Sequence, residues 1–127
     1  MRQVNSDACV RGGTYSHAVV DGDHVFLAGQ LAADRPEPPP LGDIEVETRT
    51  CMELIQSVLA ELGLGLADVI RVGVFMTDLG EFERMDRVYA SFLAPGYAPA
   101  RTTVGVAQLL FGCRVEIDCV ARLRAPA

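Results

Sequence analysis

The sequence predicts an α+β fold, a mixed β-sheet with two helices packed on one face. Three observations carry the prediction. Apolar residues recur at helical spacing in two segments, an Asp-Gly dipeptide joins two β-favouring runs, and the C-terminal region alternates apolar and polar residues one by one. The resulting order is β-β-α-β-α-β-β, with a further strand at the N-terminus as an optional addition. Helices that bury their apolar stripes on a mixed sheet form a two-layer α+β sandwich.

Ala18 to Gly29 reads AVVDGDHVFLAG, two apolar runs joined by Asp21-Gly22-Asp23, and predicts a hairpin. Arg35 to Gly42 (RPEPPPLG) is a loop, since its prolines lack donors and restrict their neighbours. From Asp43 to Leu62, Cys51, Met52, Ile55, Val58, Leu59 and Leu62 form a helical stripe. Asp43 is its N-cap, and Gly63 and Gly65 are its stop signals. Val69 to Met76 (VIRVGVFM) reads as a buried strand. Asp78 and Glu81 resemble a capping box for a second helix with the stripe Phe82, Met85, Tyr89 and Phe92, ended by Pro95-Gly96. Thr102 to Val106 is a short strand. Cys113, Val115, Ile117, Cys119, Ala121 and Leu123 alternate with Arg114, Glu116, Asp118, Val120, Arg122 and Arg124, a long strand with one core face.

At 127 residues the chain is read as one domain, 1–127, and a composition of 50% hydrophobic and 22% charged residues excludes a disordered chain. All 11 basic residues are Arg, which removes every mechanism that needs a Lys Schiff base or a P-loop Lys. The formal charge of −6 and the absence of Trp argue against nucleic acid as a partner. No apolar run suits a signal peptide or a membrane span, so a cytoplasmic protein without membrane contact is expected. Cys9, Cys51, Cys113 and Cys119 lack a CxxC pair, and His17 and His24 lack neighbouring ligands. No metal or other cofactor is expected.

With both helices on one face, the other face carries Glu116, Asp118 and Arg122 and needs a cover. A second copy of the chain is the available partner, so a symmetric homo-oligomer with a site at the subunit interface is expected. Three polar residues stand out in apolar contexts. Arg101 lies between a proline loop and a strand, or is a surface residue at a strand start. Glu116 sits mid-strand, as a site residue or a solvated ion-pair partner. Tyr15 follows a double glycine and otherwise reads as a half-buried aromatic.

Seven segments in order and spacing then resemble one family. Gly13-Thr14-Tyr15-Ser16-His17-Ala18-Val19 is similar to G-P-Y-S-Q-A-V, and Val25 to Gln30 to an apolar run ending S-G-Q. Asp43 to Thr48 resembles the helix opening, Val74 to Asp78 resembles V-F-L-T-D, and Tyr89-Ala90-Ser91-Phe92 resembles Y-x-x-F. Pro99-Ala100-Arg101-Thr102-Thr103-Val104 is similar to P-A-R-S-x-V, and Val115 to Ala121 to V-E-I-E-x-I-A. The family is RidA (YjgF), also called endoribonuclease L-PSP.

The resemblance implies a chorismate-mutase-like fold that assembles as a homotrimer with three clefts between subunits. It implies hydrolysis of enamine and imine carboxylates, such as 2-aminoacrylate and 2-iminopropionate, to a 2-keto acid and ammonia. That role is pre-emption of metabolite damage. Arg101 matches the family's carboxylate-binding Arg, Glu116 its water-positioning Glu and Tyr15 its cleft aromatic. The resemblance also places Ala28, Gly29, Thr103 and Asp86 at substrate-binding positions. A binding module for small carboxylates is the alternative, and a ribonuclease fits this acidic chain poorly. The chain departs from the family pattern at Thr14, Ala28, Thr103, Asp86 and the unusually apolar Leu109-Leu110-Phe111-Gly112. These departures point to a bulkier or more apolar imine.

Overall fold

The computed structural model describes residues 1–124; residues 125–127 of the expected domain lie outside the described part. Its elements follow the order β1 (Arg2–Val4), β2 (Ala18–Asp21), β3 (His24–Leu31), α1 (Ile44–Ala60), β4 (Val69–Met76), α2 (Phe82–Ser91), β5 (Ala100–Gly105) and β6 (Val115–Arg122). The strands join in one sheet of order β1-β2-β3-β6-β4-β5. Only the edge pair β4–β5 is parallel among the described strands, because α2 carries the chain from one to the other. The optional N-terminal strand is β1.

The alternation at the C-terminal end builds the centre of the sheet. Val115, Ile117, Cys119 and Ala121 are at most 4% exposed and meet the buried stripe of α1, including Cys51, Ile55, Val58 and Leu59. Each Val, Ile and Leu among them contributes about 1.5–3 kcal/mol by leaving water. Cys113, expected on this strand, is buried in the turn just ahead of it.

The hairpin pairs Asp21 with His24, leaving Gly22-Asp23 as its turn. Gly22 takes φ 61°, as the first central residue of such a turn must. Further along β3 the register shifts between Leu27 and Gln30, a bulge at Ala28-Gly29. Asp43 caps α1 by accepting from Glu45 N and Val46 N, and Gly63 at φ 68° follows the helix end. Glu47 on α1 is fully buried. It accepts from Gly42 N (2.7 Å) and Arg114 N (2.8 Å), tying the proline loop to the entrance of β6.

The start of α2 differs from expectation. Asp78 accepts from Gly80 N and caps a 3-10 turn at Leu79–Glu81, and α2 begins only at Phe82. Glu81 is drawn instead to Arg114, which donates to it at 2.6 Å, so it does not close a capping box. The helix also ends at Ser91, ahead of Pro95, whose ring disfavours helical backbone at Ala94. No helix of the described residues is long and apolar enough to cross a membrane.

Candidate functional site

Glu116 lies on the helix-free face of β6, paired with Phe75 of β4 and Leu31 of β3. The β3 bulge sets Gly29 against it. A Cβ at Gly29 would overlap Oε2 and come within 2.8 Å of Cδ, so the missing side chain is what makes room for the carboxylate. Bulges recur next to sites because they re-aim the chain locally. The carboxylate opens into a cavity of about 370 Å³ lined also by Tyr15, Ala28, Gly29, Leu31, Asp34, Leu110 and Phe111. Tyr15 is held by its hydroxyl, which accepts from Gly12 N at 3.2 Å, and by an edge contact with His17. His17 is structural. Its Nδ1 accepts from Ser6 N at 2.9 Å and the ring is buried.

Burial pushes the Glu116 carboxyl above its ordinary range, and the carboxylates of Asp34 and Asp118 push it further in the same direction. Asp34 is itself raised by burial, against the lowering effect of the hydrogen bond it accepts from Leu31 N (3.1 Å) and of nearby His17. Two raised carboxyls thus face one cavity. A carboxylate raised in this way is a stronger base than an exposed one and can take a proton from water and return it.

Arg101 occupies a different place. It pairs with Val72, which in turn pairs with Cys119, so its side chain stands on the helix-covered side of the edge strand β5. The guanidinium carbon sits 4.9 Å from the centre of the Tyr89 ring and 5.3 Å from that of Phe82. Nη1 donates to Asp86 Oδ1 at 2.6 Å. With 21% of the side chain exposed, the fork is fixed yet reachable. Thr103 stands two residues along on the same face. Its hydroxyl and that of Tyr89 are buried and lack a partner among the described residues. Burial raises the Tyr89 phenol, opposed by the adjacent Arg101 charge.

The predicted residues therefore form two clusters, one on each face of the sheet. Tyr15, Ala28, Gly29 and Glu116 come together on one face, while Arg101, Asp86 and Thr103 gather on the other. Within one chain the sheet separates Arg101 from Glu116. Asp86 serves as the counter-ion that positions Arg101. Sequence reasoning did not single out Asp34, and it gave Phe82 and Tyr89 no part in the site, reading both in a helix stripe and Tyr89 also in the Y-x-x-F segment. Their proximity to Glu116 and Arg101 arises from tertiary packing that no local spacing records. Among the described residues no group of three or more His, Cys, Asp and Glu side chains converges to hold a metal.

Comparison with known proteins shows the family. The family model described as Endoribonuclease L-PSP matches residues 6–123. Protein DfrA of Myxococcus xanthus is 40% identical over 94% of this chain and 94% of its own length. A 2-iminobutanoate/2-iminopropanoate deaminase of Dermatophagoides farinae is 33% identical over 85% of this chain and 84% of its own. Among solved structures, RidA from the Antarctic bacterium Psychrobacter sp. PAMC 21119 superposes with a TM-score of 0.89. It is 31% identical, over 97% of this chain and 100% of that one. The family match spans both clusters and every strand from β2 to β6, and by it the chain belongs to the RidA/YjgF family of endoribonuclease L-PSP proteins.

Proposed function

We propose that this protein hydrolyses reactive enamine and imine carboxylates of the 2-aminoacrylate/2-iminopropionate type to the 2-keto acid and ammonia. The observation that carries this reading is the pair of half-sites, a fixed guanidinium fork on one face and a raised carboxyl over Gly29 on the other. They act together if copies of the chain close into a ring, here proposed to be a homotrimer, that sets one copy's Arg101 face against the next copy's Glu116 face. The relative named as a 2-iminobutanoate/2-iminopropanoate deaminase supports the same chemistry.

The substrate's carboxylate is taken by the Arg101 fork, which stays charged at any working pH. Glu116 accepts a proton from water as its oxygen attacks C2 of the iminium, giving a carbinolamine. Glu116 returns that proton to the nitrogen, the C–N bond breaks, and the carbinol proton leaves with the nitrogen as ammonium. The keto acid carries the water oxygen. An iminium is already electrophilic, so positioning and one proton shuttle suffice. A ribonuclease is a poorer fit for a chain of formal charge −6 without Lys.

A coupled assay tests this. A serine/threonine dehydratase supplies 2-aminoacrylate in the presence of semicarbazide, and pyruvate is followed against the semicarbazone. Faster pyruvate release is expected; saturable 2-keto acid binding without acceleration would favour a binding module instead. The same assay reads the carboxylate. Glu116 acts as a base, so kcat/KM is expected to fall as pH drops through its raised pKa. Asp34 and Asp118 are the charged groups that raise it. Asp34→Asn removes one like charge and keeps an acceptor for Leu31 N, so the falling limb should move to lower pH. A limb that stays put would remove Asp34 from this role.

A further inference from the structure

We propose that the Leu110–Phe111 turn is an apolar wall that selects the side chain of the substrate, so that the cleft prefers α-imino carboxylates with an apolar side chain of three or more carbons over the three-carbon parent. This rests on the deaminase reading above and adds a substrate class to it.

Phe111 holds φ 62° and ψ 15°, the left-handed region that bulky residues avoid, and Gly112 follows at φ 72°. Such a conformation persists only where surrounding structure fixes it, and it concentrates at ligand clamps and binding turns. Here it holds two apolar side chains out of the core. Leu110 is 68% exposed and Phe111 63%, the most exposed large hydrophobic residues after Met1 among those described. Both line the cavity that holds Glu116 and Gly29.

The rest of that cavity narrows the class. Its side chains near Glu116 are small or apolar at Ala28 and Leu31, and its charged groups, Asp34 and Glu116, are both acidic. A substrate side chain bearing a carboxylate would meet two like charges there. Leu110 and Phe111 stand exposed beside these residues, so a neutral, branched or aromatic substrate side chain would cover them on binding, which a methyl group is too small to do.

Two readouts on the intact protein test this. Calorimetry compares binding of pyruvate with 4-methyl-2-oxopentanoate, and kcat/KM is compared for the imines that an amino-acid oxidase makes from alanine and leucine. A methylene enclosed by an apolar pocket is worth roughly 10–200-fold in discrimination, so the larger ligand should win by about tenfold or more. That ratio should fall below about threefold in Phe111→Gly and Leu110→Ala. Glycine accepts the left-handed backbone freely, so Phe111→Gly is compatible with the fold. Equal treatment of both ligands by the wild-type protein, or a preference that survives both substitutions, would overturn the proposal. A change in oligomeric state with the preference intact would overturn it too, assigning the turn to subunit contact. If the 2-oxo acids are discriminated but no imine is hydrolysed, the wall stands and the deaminase reading fails. If imines are hydrolysed without discrimination, the reverse holds.

Discussion

Arg101→Ala is expected to reduce turnover of 2-aminoacrylate by roughly 10²–10⁴-fold, because two charge-assisted hydrogen bonds of about 1.5–3 kcal/mol each are lost with the fork. The fold should survive. Arg101 lies on an edge strand, its ion pair with Asp86 is partly exposed, and stacking on aromatic rings contributes about 0.5–2 kcal/mol, a minor part of the stability of a domain this size. Arg101→Lys keeps the charge but not the planar fork, so it should recover part of the lost rate. The coupled assay and a thermal melt check both halves of this expectation. An alanine variant with near wild-type activity would remove Arg101 as the carboxylate anchor.

Gly29→Ala is the second large effect, and it separates activity from stability. The new Cβ would overlap Glu116 Oε2. That oxygen ends a flexible side chain, so the carboxylate can swing aside at little cost to the fold. The swing moves the proton shuttle off its line to the substrate. A misplacement of about 1 Å can cost 10²-fold, so kcat should drop by roughly that factor with the melting temperature changed little. Unchanged kcat would mean that Gly29 does not set the carboxylate's position; a collapse in melting temperature would mean that the close approach is structural.

The regular elements were legible where local chemistry decides them. The alternation read from Cys113 to Arg124, the Asp43 cap and the turn at Gly22 each depend on residues within a few positions, and each formed, the strand over Val115–Arg122 and so two residues shorter at either end. The entry to α2 was misread because Glu81 faces two competing demands, a local cap and the distant Arg114, and the ion pair wins. The bulge at Ala28-Gly29 left no mark in the apolar pattern, yet it is what lays Gly29 beside Glu116. In the candidate site, motif resemblance picked out Arg101, Glu116, Tyr15 and Gly29 individually. What spacing could not give is the side of the sheet each occupies. That depends on strand order, in which β5 pairs parallel to β4 at the edge while β6 lies between β3 and β4.

The central claim is that catalysis joins one copy's Arg101 to another copy's Glu116. The most direct measurement mixes two inactive variants, Arg101→Ala and Glu116→Gln, by co-expression at equal levels. In a randomly assembled closed trimer each mixed ring regenerates one intact cleft, so about a quarter of wild-type activity should return. Activity of the mixture no greater than that of the two parents, with mixed oligomers formed, would contradict a site shared between copies.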